Sequence, residues 1–202
     1  MAKAATTKGV NPPKVTKPYN YRSCASLFGY AAEVHIRSGG ICALCGFGVG
    51  SGKDFDSWRQ LTVEHIIGRK DGGYRDKIRE AVAQRVFVPP LSPERQTELI
   101  EEVDRLNTRS ACSFCNSVTS RAKCERSMRM LIVETPGGDS ELLEAVIKAT
   151  ETELAKKRTD VQRKLESIKR AFNEEVAPQL ANTTTTLTQG IQKGGILGGL
   201  IA

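Results

Sequence analysis

Two Cys-x-x-Cys pairs, Cys42/Cys45 and Cys112/Cys115, flank an acid and an imidazole at Glu64-His65. Each pair, carried on a turn, presents two thiolates to one ion, and two pairs complete the tetrahedral shell that zinc prefers. With four sulfurs no position is left for water, so such a zinc is structural and staples two distant stretches of chain together. Asn107 stands shortly before the second pair and Asn116 directly after Cys115. A zinc ribbon has no use for Glu64, His65, Asn107 or Asn116. A neutral imidazole near pH 7 can take a proton from water once its tautomer is fixed, which makes His65 a candidate general base. Glu64 and Asn116 offer oxygen donors of the kind a hard divalent cation takes. One base and one such cation can together activate a water for hydrolysis.

In order, the chain reads Cys42-x-x-Cys45, Glu64-His65-Ile66-Ile67, Asp71-Gly72-Gly73, Asn107 and Cys112-x-x-Cys115-Asn116. This series resembles the HNH endonucleases, over a region from about Ala25 to Arg126. The resemblance implies an α+β fold, a ββα-metal core stapled by the four-cysteine zinc. It implies His65 as the base, Glu64 and Asn116 holding catalytic Mg²⁺ or Mn²⁺, and Asn107 supporting the loop that carries the histidine. The implied reaction cuts DNA and leaves 5′-phosphate and 3′-hydroxyl ends; RNA is not excluded, because nothing in the motif reads a 2′-hydroxyl. The core's helix, expected to open over Phe114 to Met130, carries Arg121, Lys123, Arg126 and Arg129, which would face phosphates; an ordinary solvated face is the alternative. The rival functional reading is a catalytically inactive zinc module that binds nucleic acid or a protein.

A chain of 202 residues accommodates one ordinary domain with appended segments. Its net charge of +7 favours polyanionic partners, and 5% aromatic content argues for phosphate contact over base stacking. The first seventeen residues are polar and basic without an apolar core, so the expectation is a protein that is not secreted, cytoplasmic or associated with nucleic acid, with reduced, metal-bound thiols. No apolar run approaches membrane-spanning length, and no membrane partner is expected. Cys24 and Cys124 are left over as structural or incidental thiols.

These residues must be positioned by a short list of elements. Residues 1–23 read as a disordered basic arm and 24–135 as the nuclease domain. A helix over Ser26–Arg37 ends at Gly39-Gly40, and His35 within it reads as a packed residue. Trp58 to Val63 reads as the strand delivering Glu64-His65, and Asn107 to Ala111 as its partner. Between them, residues 75–106 form an insertion expected to be a helical hairpin: Arg75–Arg85, a break at Pro89-Pro90, then a helix with Ser92 as N-cap and Pro93 in first position. Leu131-Ile132-Val133 reads as a further strand. Residues 139–177 form a long coiled-coil-like helix, capped by Asp139 or Ser140, with Ile147, Leu154, Val161 and Ile168 recurring every seventh residue and Thr150 and Lys157 interrupting the seam. Homodimerisation through this helix and folding back onto the body are the two alternatives. Residues 178–202 read as a flexible tail.

Overall fold

The structure, a computed structural model, describes residues 29–48, 54–119 and 124–181. The basic arm, Cys24, Arg121, Lys123 and the tail beyond residue 181 lie outside the described residues. The fold is α+β: among the described residues there are two strands, seven α-helices and a cluster of four cysteines.

Strand β1, Leu61–His65, pairs antiparallel with β2, Thr108–Cys112, in a register that sets Leu61 opposite Cys112 and His65 opposite Thr108. A one-turn helix at Phe55–Trp58 occupies the expected start of β1: Asp54 accepts from the Ser57 amide at 2.8 Å, so local capping overrides the strand character of Trp58. The connection between the strands is the expected pair of helices. The first spans Arg75–Gln84; the second, Pro93–Asn107, starts where Ser92 Oγ accepts from the Arg95 amide at 3.2 Å. It passes into β2 without a loop, so the end of the insertion is rigidly tied to the hairpin. These helices, α3 and α4 after α1 (Tyr30–Arg37) and the Phe55–Trp58 turn (α2), face different neighbours. Helix α1 lies on the hairpin, where His35 is buried and its Nδ1 is 2.5 Å from Ser110 Oγ. Gly39 and Gly40, at φ +63° and +70°, then reverse the chain into Cys42.

Two expectations fail between β2 and Pro136. Phe114 to Met130 is not one helix: α5 spans Ser113–Val118, and α6 begins only at Met128. Leu131-Ile132-Val133 is helical within α6, Met128–Glu134, because Ser127 caps it and Met128, Leu131 and Ile132 all fall on the buried side at helical spacing. Burial on a 3.6-residue period wins over the β-branched preference of Ile and Val.

Packing divides into two apolar clusters. One joins α3, α4, α6 and the start of the last helix through residues such as Ile78, Leu99, Val103, Met128 and Ile132. Arg85, at the end of α3, locks this cluster by donating to the carbonyls of Ile132 at 2.6 Å and Gly137 at 2.8 Å. The other gathers Cys42, Leu44, Ile66, Ala111, Cys112 and Cys115. Helix α7, Asp139–Ala171, runs along both: Leu142 and Val146 enter the first cluster, Leu154 and Val161 the second. Its cap is Gly138, whose amide donates to Glu141 at 2.8 Å, rather than Asp139 or Ser140. Asp139 instead pairs with Arg95 of α4 at 2.8 Å. Of the heptad series only Leu154 and Val161 are buried, while Ile147 and Ile168 are exposed. The helix folds back on the body, and the residues it buries there are Leu142, Val146, Thr150, Leu154 and Val161.

Candidate functional site

The four sulfurs of Cys42, Cys45, Cys112 and Cys115 lie within 4.8 Å of one another and could hold a metal ion such as zinc. The first knuckle is closed by Cys42 N–H to the Phe47 carbonyl at 2.8 Å, while the Phe47 amide donates to Cys45 Sγ at 3.4 Å. Cys112 ends β2 and caps α5, its sulfur accepting from the Cys115 amide at 3.5 Å. The Ala43 amide reaches the Ser110 carbonyl at 2.8 Å, tying knuckle to strand. Four thiols this close cannot all ionise unless a cation shares their charge. The Cys112 thiol and nearby backbone amides draw the Cys42 pKa down, whereas the bond to Cys42 and burial push that of Cys112 up. The donor set therefore fits a soft or borderline ion and leaves none of its positions open.

Beside this cluster a cleft of about 390 Å³ brings together Glu64, His65 and Asn116. Glu64 and His65 are neighbours at the end of β1, and Asn116 comes from α5, where its Nδ2 donates to Thr62 Oγ1 at 2.9 Å. That bond uses the amide's NH₂ and leaves its oxygen for another partner. His65 stacks on Tyr74, ring centroids 4.1 Å apart and planes 11° from parallel, which fixes the plane of the imidazole. Burial lowers the pKa of His65; Asp104 opposes the shift and Lys157 adds to it, so the ring is held neutral near pH 7. A neutral ring is the form a general base needs.

Asn107 sits at the junction of α4 and β2, fully buried. Its Oδ1 accepts from the Ile67 amide at 2.8 Å, and its Nδ2 donates to the carbonyls of Ile67 at 3.0 Å and Gly73 at 2.8 Å. Its own carbonyl accepts from the Ile66 amide at 2.9 Å. Asn107 thus clamps the loop after His65 and does not line the cleft. The approach is so close that a Cβ on Gly73 would stand 1.7 Å from the Ile67 carbonyl oxygen, so only glycine fits there.

The basic residues are distributed otherwise than on one helix. Arg126 precedes α6 and is exposed, reaching the Met130 carbonyl at 3.4 Å; Arg129, on α6, donates to Gln84 at 3.1 Å. Neither lines the cleft, because the break after α5 turns α6 into the helical cluster. Among the described residues, the cations that do line it are Arg69, Lys70 and Lys157.

In the sequence Lys157 shows only as an interruption of a seam. Its ammonium pairs with Glu64 and donates to the His65 carbonyl at 3.2 Å. A charge inside an otherwise apolar helical stripe is the signal that could have found it, since such a residue needs a buried partner. Asp71, which the sequence presents only as part of a turn, is buried on the cleft wall and accepts from the Cys124 amide at 3.2 Å. No family model, curated protein or solved structure matches the chain.

Proposed function

We propose that this protein is a metal-dependent endonuclease of the HNH kind that hydrolyses DNA phosphodiester bonds. One observation carries the reading: Glu64, His65 and Asn116, from two elements, line a single cleft beside the four-sulfur cluster. The clamp by Asn107 and the stacked, neutral His65 support it. In this reading His65 accepts the proton of the attacking water as the new P–O bond forms and the bond to the 3′ oxygen breaks, with that oxygen taking a proton from solvent. Glu64 and the Asn116 oxygen would hold a Mg²⁺ or Mn²⁺ ion, which supplies charge stabilisation at the phosphoryl and leaving oxygens when bound. Two protein donors suffice for Mg²⁺, which keeps several waters and takes further ligands from phosphate. Zinc on the four cysteines holds the hairpin and α5 in place. Arg69 and Lys70 on the cleft, with the net charge of +7, suit a polyanionic substrate.

Plasmid nicking with Mg²⁺ or Mn²⁺ tests the reading. Wild type should cut, and His65→Ala should lose about a hundredfold or more of the rate. Equal cutting by the two proteins removes His65 from the mechanism. A parallel reaction on RNA decides the substrate.

The Lys157–Glu64 pair favours a second reading, a catalytically inactive zinc module, since an ammonium already neutralises the carboxylate. That reading predicts zinc alone, no hard-cation site near His65, and intact DNA after long incubation.

A further inference from the structure

The Lys157 and Glu64 side chains are only 13% and 9% exposed. Each has given up most of its hydration, so each depends on the other, and removing one leaves an uncompensated charge. Lys157 is held there by its helix: Leu154 and Val161, on either side of it in α7, are both buried in the sulfur cluster. The backbone is therefore fixed, while the four-carbon stem above it can turn. The wall of the same cleft carries Arg69 and Lys70, and among the described residues the single other acid on it is Asp71, occupied by the Cys124 amide.

We infer that Lys157 is a built-in competitor for the cation seat on Glu64. A divalent ion takes the carboxylate only by displacing the ammonium. A phosphate entering the cleft assists, because it offers the displaced ammonium a new partner. Metal and phosphodiester consequently bind with positive coupling, each raising the affinity of the other by the same factor. This rests on the hydrolytic reading of the cleft. A merely structural ion pair would alter stability when broken and leave cation affinity alone.

The test is a Mn²⁺ titration of the full chain loaded with zinc, followed by the electron paramagnetic resonance of free Mn²⁺, with and without a short phosphorothioate DNA duplex. A competitor that fills the seat for roughly nine-tenths of the time weakens apparent affinity about tenfold. Lys157→Met should therefore bind Mn²⁺ about tenfold more tightly than wild type. Lys157→Arg, which keeps the charge, should stay near wild type. The duplex should tighten Mn²⁺ binding more in wild type than in Lys157→Met. Circular dichroism and zinc content establish that each variant is folded, with Lys157→Gln replacing the methionine variant if that one is not. Equal Mn²⁺ affinity in wild type and the uncharged variants overturns the inference. Glu64→Gln separates the two failures. If it abolishes Mn²⁺ binding while Lys157→Met changes nothing, only the competition fails; if it changes nothing, Glu64 holds no ion and the hydrolytic reading falls as well.

Discussion

The two clusters solve the same problem with different materials. In the helical cluster, Ile78, Leu99, Val103, Met128 and Leu142, all fully buried, bring four helices together by removing apolar surface from water. In the sulfur cluster the elements that α7 packs against are two strands of five residues and a helix of six, too short to stand alone. Cys42, Cys112 and Cys115 are among its buried residues, and Cys45 packs against them. Apolar burial is non-directional and tolerates adjustment, whereas four thiolates around an ion set angles and distances. The cleft belongs to the second kind of neighbourhood: the groups that must converge there, Glu64, His65 and Asn116, ride on the elements the cysteines hold. The helical cluster supports the site from behind through Asn107.

The contrast between the clusters should show most severely when the four-cysteine cluster is broken or stripped of any ion it holds. Cys115→Ser, or a strong chelator, should unfold the hairpin and α5 while the helical cluster persists, because structural zinc contributes an apparent free energy of about 10–16 kcal/mol to small sites. Hydrogen exchange should show amides of β1 and β2 opening well before those of α3 and α4; simultaneous opening would mean that the two clusters are one cooperative unit. Next in size is Leu99→Ala, which creates a cavity in the helical cluster and should cost about 2–5 kcal/mol in urea unfolding, with zinc content unchanged. Of comparable size, and felt by both regions, is Asn107→Ala. It strips partners from the Ile67 and Gly73 backbone groups, at about 1–3 kcal/mol for each buried group left unpaired. It should reduce nicking while Mn²⁺ affinity stays the same, and a variant as active as wild type would end the clamp's role.

The finest test is acidity. Thiolates lose their metal as they take up protons, so the sulfur cluster should fail first as pH falls. In the helical cluster the hydrogen bond from Arg95 holds the Asp139 carboxyl below its ordinary range. A depressed carboxyl contributes stability that is complete above its unfolded pKa, about 3.9, and is lost as pH falls through the lower folded value. Arg95→Met should therefore move the acid limb of helix loss to higher pH and leave zinc release where it was. Movement of both together would tie α4 and α7 to the sulfur cluster.

Much of the sulfur cluster is legible in the sequence because its chemistry is local. Cys-x-x-Cys spacing specifies a knuckle, and the adjacency of Cys115 and Asn116 places a side chain beside the four sulfurs whatever the rest of the chain does. Ser92-Pro93 likewise states a helix start in two residues. What is not legible depends on distance in sequence. The heptad of Ile147, Leu154, Val161 and Ile168 is real in spacing. The stripe actually buried, Leu142, Val146, Thr150 and Leu154, recurs every fourth residue and follows the shape of the body. Lys157 therefore lands on the cleft, ninety-three positions from Glu64, and no local pattern announces that meeting. The helix over Leu131-Ile132-Val133 escapes in part for the same reason: Ser127 caps it locally, but its packing on α3 overrides the strand preference of its own residues.

Because α7 contributes to both clusters, neither is finished until that helix has been synthesised. A nascent chain of this protein leaves the ribosome with its cysteines, its imidazole and its carboxylate already made but without the helix that completes their packing. On the reading proposed for the cleft, that order delays assembly of the cutting centre until translation has passed the last turn of α7 that touches the body, and Lys157 reaches Glu64 in the same step.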